Sequence, residues 1–385
     1  MAVINSIAAA AEEMSGWRRH IHAHPELCLE CHETARFVVA RLREMGITDI
    51  HEGIAESGVV AVIDGQGPGP VTGLRADMDA LPMQEETGAP WASTVPGRMH
   101  ACGHDGHTTM LLGAAKYLSD TRRFTGRVVL IFQPAEESVG GGRIMVEEGI
   151  MDRFGVEEVY ALHTDPFGKL GEFRTCPGPI MGAVDDFTLR IRGQGGHAAY
   201  PQTCRDPMPA ALAIGQALQT IVSRNTDPLG ALVVSLTMFH GGSAPNIIPE
   251  EVTLGGTVRS LAPQVRDMAE GRIRQIAASV AEGYGVEGIL DYRRSYPPTI
   301  NHEDQTRFAV DIAREVSSRV VDDLPPEMGA EDFSYMLEAR PGAFLFLGQG
   351  IGPSAHHPAF DFNDAVAPIG ASFFARLIEK RHALG

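Results

Sequence analysis

Four short apolar runs in this 385-residue chain each lead into a cluster of Asp, Glu or His. Val71–Arg75 leads to Asp77 and Asp79, Val128–Phe132 to Glu136 and Glu137, Val159–Leu162 to His163, and Ala343–Leu347 to His356 and His357. A further cluster, Cys102-Gly103-His104, opens a helical stretch with Leu111, Leu112, Ala115 and Leu118 on one face. Strands alternating with helices build a mostly parallel sheet flanked by helices, and such sheets bind ligands outside the carboxyl ends of their strands. The same side-chain chemistry after strand upon strand predicts one site on one sheet edge.

The chain is long enough to predict two domains. Residues 14–46 carry helical periodicity from Trp17 through Phe37, Val38 and Leu42 to a C-cap at Gly46, and Val59–Ile63 reads as a strand. After Pro177–Gly182 the pattern changes. A strand around Phe187–Ile191, a helix over Pro207–Val222, strands Ala231–Phe239 and Glu251–Val258, a helix from Gln264 to about Ala281 and a strand Ile289–Tyr296 follow in turn. That order is the β-α-β-β-α-β of a ferredoxin-like unit, ended by Pro297–Pro298. The expectation is therefore an α/β domain over 1–183 and 298–385, interrupted by an inserted ferredoxin-like domain over 184–297.

A formal net charge of −17 argues against nucleic acid or an anionic membrane as partner, and an anionic substrate would need local positive charge from a metal or an Arg. No uncharged apolar run approaches the roughly 20 residues of a membrane helix. The alanine-rich start lacks the basic segment of a signal peptide. Five cysteines form no disulfide framework, and a reducing cytoplasm is the expected location.

Each cluster has a plain structural alternative. Cys102 at a helix N-terminus has its thiol pKa lowered by the helix dipole, and a metal would deprotonate it further; alone it could be a buried free cysteine beside a capping His104. Glu136 and Glu137 follow a strand ended by Pro134. Metal-assisted hydrolysis needs one carboxylate as ligand and another as general base, whereas a Glu pair in a loop is ordinarily solvated. His163 and either His356 or His357 gain weight from convergence on one edge. His20, His22 and His24 lie on the first helix, and surface and capping roles are expected for them. Cys28 and Cys31 have no second pair to complete a zinc site. In the inserted domain, His197 follows a glycine-rich turn, and Asn246 and Arg259 complete a set suited to an oxyanion and a carboxylate.

The segments GLRADMDALP, MHACGHDGHT, FQPAEES, GQGGHAAYP, SAPNIIP, GTVRS and HHPAFDFND, in order along almost the whole chain, closely resemble the N-acyl-amino-acid amidohydrolases. That group includes hippurate hydrolases, bacterial aminoacylases and plant auxin-conjugate hydrolases, with carboxypeptidase G a distant relative. The resemblance implies two divalent metal ions (zinc, manganese or cobalt) bridged by Cys102. His104 and His163 would complete one metal site and Glu137 and His356 the other, with His356 preferred because it fills the His of a His-x-Pro motif. It also implies Glu136 as general base and the inserted domain as a lid and homodimerisation module whose His197 can reach a partner's site. Cys28 and Cys31 depart from the small or polar residues expected there.

The expected activity is hydrolysis of the amide of an N-acyl amino acid, with His197 on the oxyanion and Asn246 and Arg259 on the substrate carboxylate. Two other readings compete: a metal-free hydrolase using Cys102 as nucleophile with His104 or His100 as base, and a non-catalytic binding protein of the same fold.

Overall fold

The computed structural model describes residues 2–384. The chain divides into two compact units. The first comprises the residues up to Ile180, Ile300–Pro325 and those from Asp332 on; the second comprises Met181–Thr299 and Pro326–Glu331.

The first unit is built on an eight-stranded mixed sheet in the order Asp49–Ile54, Gly58–Asp64, Arg127–Gln133, Val71–Asp77, Glu158–Asp165, Gly342–Gly348, Phe173–Arg174, Val320–Val321. The third to sixth of these run parallel, and antiparallel strands flank them. Burial of the parallel strands on both faces explains their continuous apolar runs: Val128–Phe132 and Ala343–Leu347 are buried throughout. The His104–Thr121 helix packs on the sheet and is covered in turn by the Ala11–Ala23 and Ala367–Arg381 helices. This is why Met110, Leu111, Ala114 and Leu118 are all buried, on more than one helix face.

The periodicity over 14–46 is two helices, Ala11–Ala23 and His32–Glu44. Pro25 cannot continue the first, and the chain turns between them. The turn changes the expectation for the histidine run. His24 has the capping role, its Nδ1–H donating to the His20 carbonyl at 2.7 Å, but His22 is fully buried between two carboxylates.

In the second unit, the strands Leu232–Gly241, Glu251–Ser260, Ala183–Arg192 and Glu287–Arg294 form one antiparallel sheet in that spatial order. Ala183–Arg192 alternates strictly: Phe187, Leu189 and Ile191 join Ile214, Leu218, Ile273 and Ala277 of the Pro207–Thr220 and Pro263–Gly283 helices in a core. Pro326–Glu331, expected in the first domain, belongs to this unit: Gly182 N–H donates to the Gly329 carbonyl at 2.7 Å, and Met181 bridges Glu327. Among the described residues, no helix is long and apolar enough to cross a membrane.

Candidate metal centre

The four parallel strands deliver their polar residues to one edge of the sheet. His163 lies near the carboxyl end of Glu158–Asp165, while Glu136 and Glu137 follow Arg127–Gln133. His104 is the first residue of its helix, and Gly103 before it has φ +89°. A Cβ there would lie 2.5 Å from Thr164 Cγ2, so the turn that sets Cys102 and His104 side by side requires glycine on both counts. Gly141, opening the helix after the Glu pair, is constrained by space alone: its Cβ would meet the Pro134 carbonyl oxygen at 1.8 Å.

Cys102, His104 and His163 bring their ligand atoms together, and so do Cys102, Glu137 and His356; the two groups share the cysteine. Cys102 Sγ lies 3.4 Å from His163 Nε2, and His356 Nε2 lies 3.0 Å from Glu137 Oε1. Glu136, buried, joins His104 and Glu137 in a third group. His357 faces elsewhere: its Nδ1 accepts the Ala359 N–H at 3.0 Å. The backbone separates the two histidines, since His356 has φ +64° and donates its own N–H to the Ala101 carbonyl at 2.8 Å.

Ring tautomers follow from the partners. A carbonyl oxygen only accepts, so His104 Nδ1–H donates to Asp79 O at 2.9 Å and His163 Nδ1–H donates to Thr164 O at 2.7 Å. Nε2 is therefore the ring atom each histidine has left to offer the centre, the arrangement typical of metal-bound imidazoles. His104 Nε2 is buried without a hydrogen-bond partner. The Cys102 thiol, the His163 and His356 imidazoles and the Glu137 carboxylate gathered with this orphaned nitrogen fit divalent cations, and thiolate with imidazole suits zinc.

Electrostatics agree. Burial pushes the His104 imidazole down, but Asp77 and Asp79 outweigh it and raise it to about 10. Burial, Glu137, Glu136 and Asp77 push the Cys102 thiol well up, against the lowering expected from its place at a helix N-terminus. Burial opposes ionisation of Glu137, yet His356 and His104 hold it below its usual value. The site thus concentrates negative charge that calls for cations. The environment of Cys102 also opposes a free thiolate nucleophile.

Beneath the ligands lies a buried layer to which sequence reasoning had assigned no role. Asp79 accepts the backbone N–H groups of Glu136 and Glu137 on its two oxygens, each at 3.0 Å. Asp77 takes Arg75 Nη1 at 2.7 Å and His107 Nδ1 at 2.6 Å, and His107 Nε2 accepts the Thr164 N–H at 2.8 Å. Burial holds His107 down at about 4, so it is a neutral spacer between the Asp77 and His163 strands. One signal was available: His107 sits three residues after His104, on the same helix face.

The other expected residues lie in the second unit. His197 and Asn246 are exposed and adjacent, with Ala198 N–H donating to the Asn246 carbonyl at 3.0 Å beside the His197–Ile247 pair. Arg259 stands apart in the four-stranded sheet, its Nη1 donating to the Val258 carbonyl at 3.0 Å.

Known proteins resemble this chain over most of its length. The model of peptidase family M20/M25/M40 matches residues 73–380. An N-acetyl-L-cysteine deacetylase of Bacillus subtilis is 40% identical over 98% of this chain and 89% of its own length. The hippurate hydrolase of Campylobacter jejuni is 37% identical over 99% of both chains. Among solved structures, a dinuclear metal-binding M20 peptidase of Bacillus subtilis superposes with a TM-score of 0.86 at 33% identity, over 96% of this chain and 98% of the other.

Proposed function

The chain belongs to peptidase family M20/M25/M40 and is a hydrolase; from that premise we propose that it is a two-metal amidohydrolase cleaving N-acyl amino acids to a carboxylic acid and a free amino acid. The observation that carries the reading is the pair of ligand groups sharing Cys102. Cys102, His104 and His163 would hold one ion and Cys102, Glu137 and His356 the other. The chemistry such a pair of ions would supply when bound is polarisation of an acyl carbonyl and acidification of the attacking water.

The chain's own groups do the rest. Glu136, buried beside the ligands, takes a proton from the attacking water and passes it to the leaving nitrogen. Asp79 fixes the backbone on which Glu136 and Glu137 stand, so ligand and base keep their separation. His197 stabilises the oxyanion, and Asn246 and Arg259 hold the substrate's carboxylate. The relatives' names, N-acetylcysteine deacetylase and hippurate hydrolase, support the substrate class.

The second unit, with its β-α-β-β-α-β order, we read as a ferredoxin-like lid through which the chain forms a homodimer. Its Leu232–Gly241 strand is an edge strand exposing Met238 and Phe239, the kind of edge that pairs with another chain. Five free thiols suit the cytoplasm.

The deciding experiment combines elemental analysis with hydrolysis of hippurate and N-acetyl amino acids. Two ions per chain, loss of activity with chelator and recovery with zinc, manganese or cobalt are expected. Full turnover by demonstrably metal-free protein would refute the reading.

A further inference from the structure

In the first unit, four large apolar side chains stand exposed among the described residues: Val139, Phe167, Ile351 and Leu384. Leu384 is at the chain end, where exposure is ordinary. The other three are not scattered. Val139 lies two residues beyond Glu137, Phe167 four beyond His163 and Ile351 five before His356, so all three rim the sheet edge that carries the ligands. Phe167 is 65% exposed and Ile351 85%, the two most exposed of the set.

The backbone brings these last two together. Gly350 N–H donates to the Gly168 carbonyl at 3.1 Å and Gly352 N–H to the Pro166 carbonyl at 3.2 Å. Those bonds bracket Phe167 and Ile351 and set them opposite one another, as in an antiparallel pair. The platform is braced from below. Gln349 N–H bonds the Asp165 carbonyl at 3.0 Å, and the Asp165 carboxylate accepts the Phe167 N–H at 2.8 Å while pairing with Arg174. A tightly held turn presenting a phenyl ring and a branched aliphatic chain to water, a few residues from two metal-ligating histidines, is an apolar surface without a partner in its own fold.

The proposed substrate offers one matching part. Its amino-acid end always carries a carboxylate and its amide must sit at the metals, whereas its acyl tail is apolar whatever amino acid leaves. We propose that Phe167 and Ile351 form the acyl-group platform, and that this chain accordingly prefers aromatic or long aliphatic acyl groups over acetyl. An aromatic acyl group gains offset stacking on Phe167, and an alkyl chain gains burial against both side chains. A lone methyl gains almost nothing. This inference rests on the amidohydrolase reading above.

The test measures kcat/KM for the N-acetyl, N-benzoyl and N-decanoyl derivatives of one amino acid, using metal-loaded wild type, Phe167→Ser, Ile351→Ser, the double variant and the conservative pair Phe167→Leu and Ile351→Val. Apolar pockets discriminate by about 10–200-fold per small group. The wild type should therefore favour benzoyl or decanoyl over acetyl by roughly tenfold or more. The double serine variant should lose most of that ratio with its metal content intact, while the conservative variants keep the decanoyl preference, which rests on apolar burial alone. An unchanged ratio, or an equal fall on all three substrates, overturns the proposal. A changed sedimentation mass with an unchanged ratio overturns it too, assigning the pair to an interface between copies. Hydrolysis of acetyl, benzoyl and decanoyl substrates at equal rates sinks the platform alone, whereas hydrolysis of none sinks the amidohydrolase reading with it.

Discussion

One carboxylate oxygen of Asp79 accepts the backbone N–H of Glu136 at 3.0 Å, joining the end of one parallel strand to the loop after its neighbour. The other oxygen does the same for Glu137, and the Asp79 carbonyl orients His104. One residue that offers the site no ligand atom thus places a ligand, a neighbouring carboxylate and an imidazole. In Asp79→Asn the amide NH2 would face one of those N–H groups and leave it unsatisfied. Partners behind metal ligands typically contribute about 10–100-fold to affinity or activity. We expect metal affinity or kcat to fall by that factor, with stability lower by about 1–3 kcal/mol. Calorimetric zinc titration and denaturant unfolding check both. Wild-type affinity, rate and stability together would remove Asp79 from this role.

Adjacent glutamates are expected to fail differently. Glu136→Gln should keep its metals and lose about 10²–10⁴-fold in rate, the range for a general acid–base group. Glu137→Gln should lose metal first, since its carboxylate faces His356 and the cysteine. Elemental analysis beside steady-state kinetics separates them, and the reverse pattern means that base and ligand are exchanged.

For His197 the expectation concerns subunits. His197→Ala should fold, bind both ions and lose roughly 10²–10³ in rate, the cost of removing one oxyanion donor. If His197 serves its partner's site, mixing His197→Ala with Glu136→Gln chains regenerates activity, because one site in each heterodimer holds both groups. Absence of recovery despite proven exchange confines His197 to its own chain or removes it from the reaction.

His22 makes stability depend on pH. Burial opposes its charge, but hydrogen bonds to Asp105 at 2.8 Å and Glu85 at 3.3 Å raise it to about 9. A folded-state pKa above the unfolded value of about 6.5 means the imidazolium contributes stability fully below pH 6.5 and loses it as pH rises through about 9. The stability difference between wild type and His22→Gln should be largest near pH 6 and shrink by pH 9.5. Denaturant unfolding at both values measures it, and a constant difference contradicts the assignment.

His22 also marks where sequence reasoning ended. Its partners lie 83 and 63 residues away, beyond any local pattern, so an alternating histidine run looked like a surface feature. Asp79 stayed without a role for a similar reason: it acts on backbone N–H groups, which carry no residue signature. Conversely, the placement of Glu136, Glu137 and His163 on one edge was legible because buried parallel strands are continuous apolar runs, and whatever polar residue follows one must sit on the carboxyl edge. Cys102 and His104 follow no strand and were marked by the helix they open. His356 and His357 could not be told apart from spacing. The structure sets His356, with its positive φ, against Glu137, and that is backbone geometry. Pro326–Glu331 was misplaced because a few backbone bonds, with no composition shift, tie it to the second unit.

The order of strands bears on how the chain comes off the ribosome. Gly342–Gly348 sits between Glu158–Asp165 and Phe173–Arg174 in the sheet, yet it is synthesised only after the entire second unit. At about 5–20 residues per second the nascent sheet waits on the order of ten seconds or longer with the flank of Glu158–Asp165 unpaired. During that interval Cys102, Glu137 and His163 are already made, but His356 is not. The second unit, contiguous apart from one short loop, can mature first. The first unit must hold an open sheet edge until its last strand arrives, and that delay is when association with other nascent chains is most dangerous.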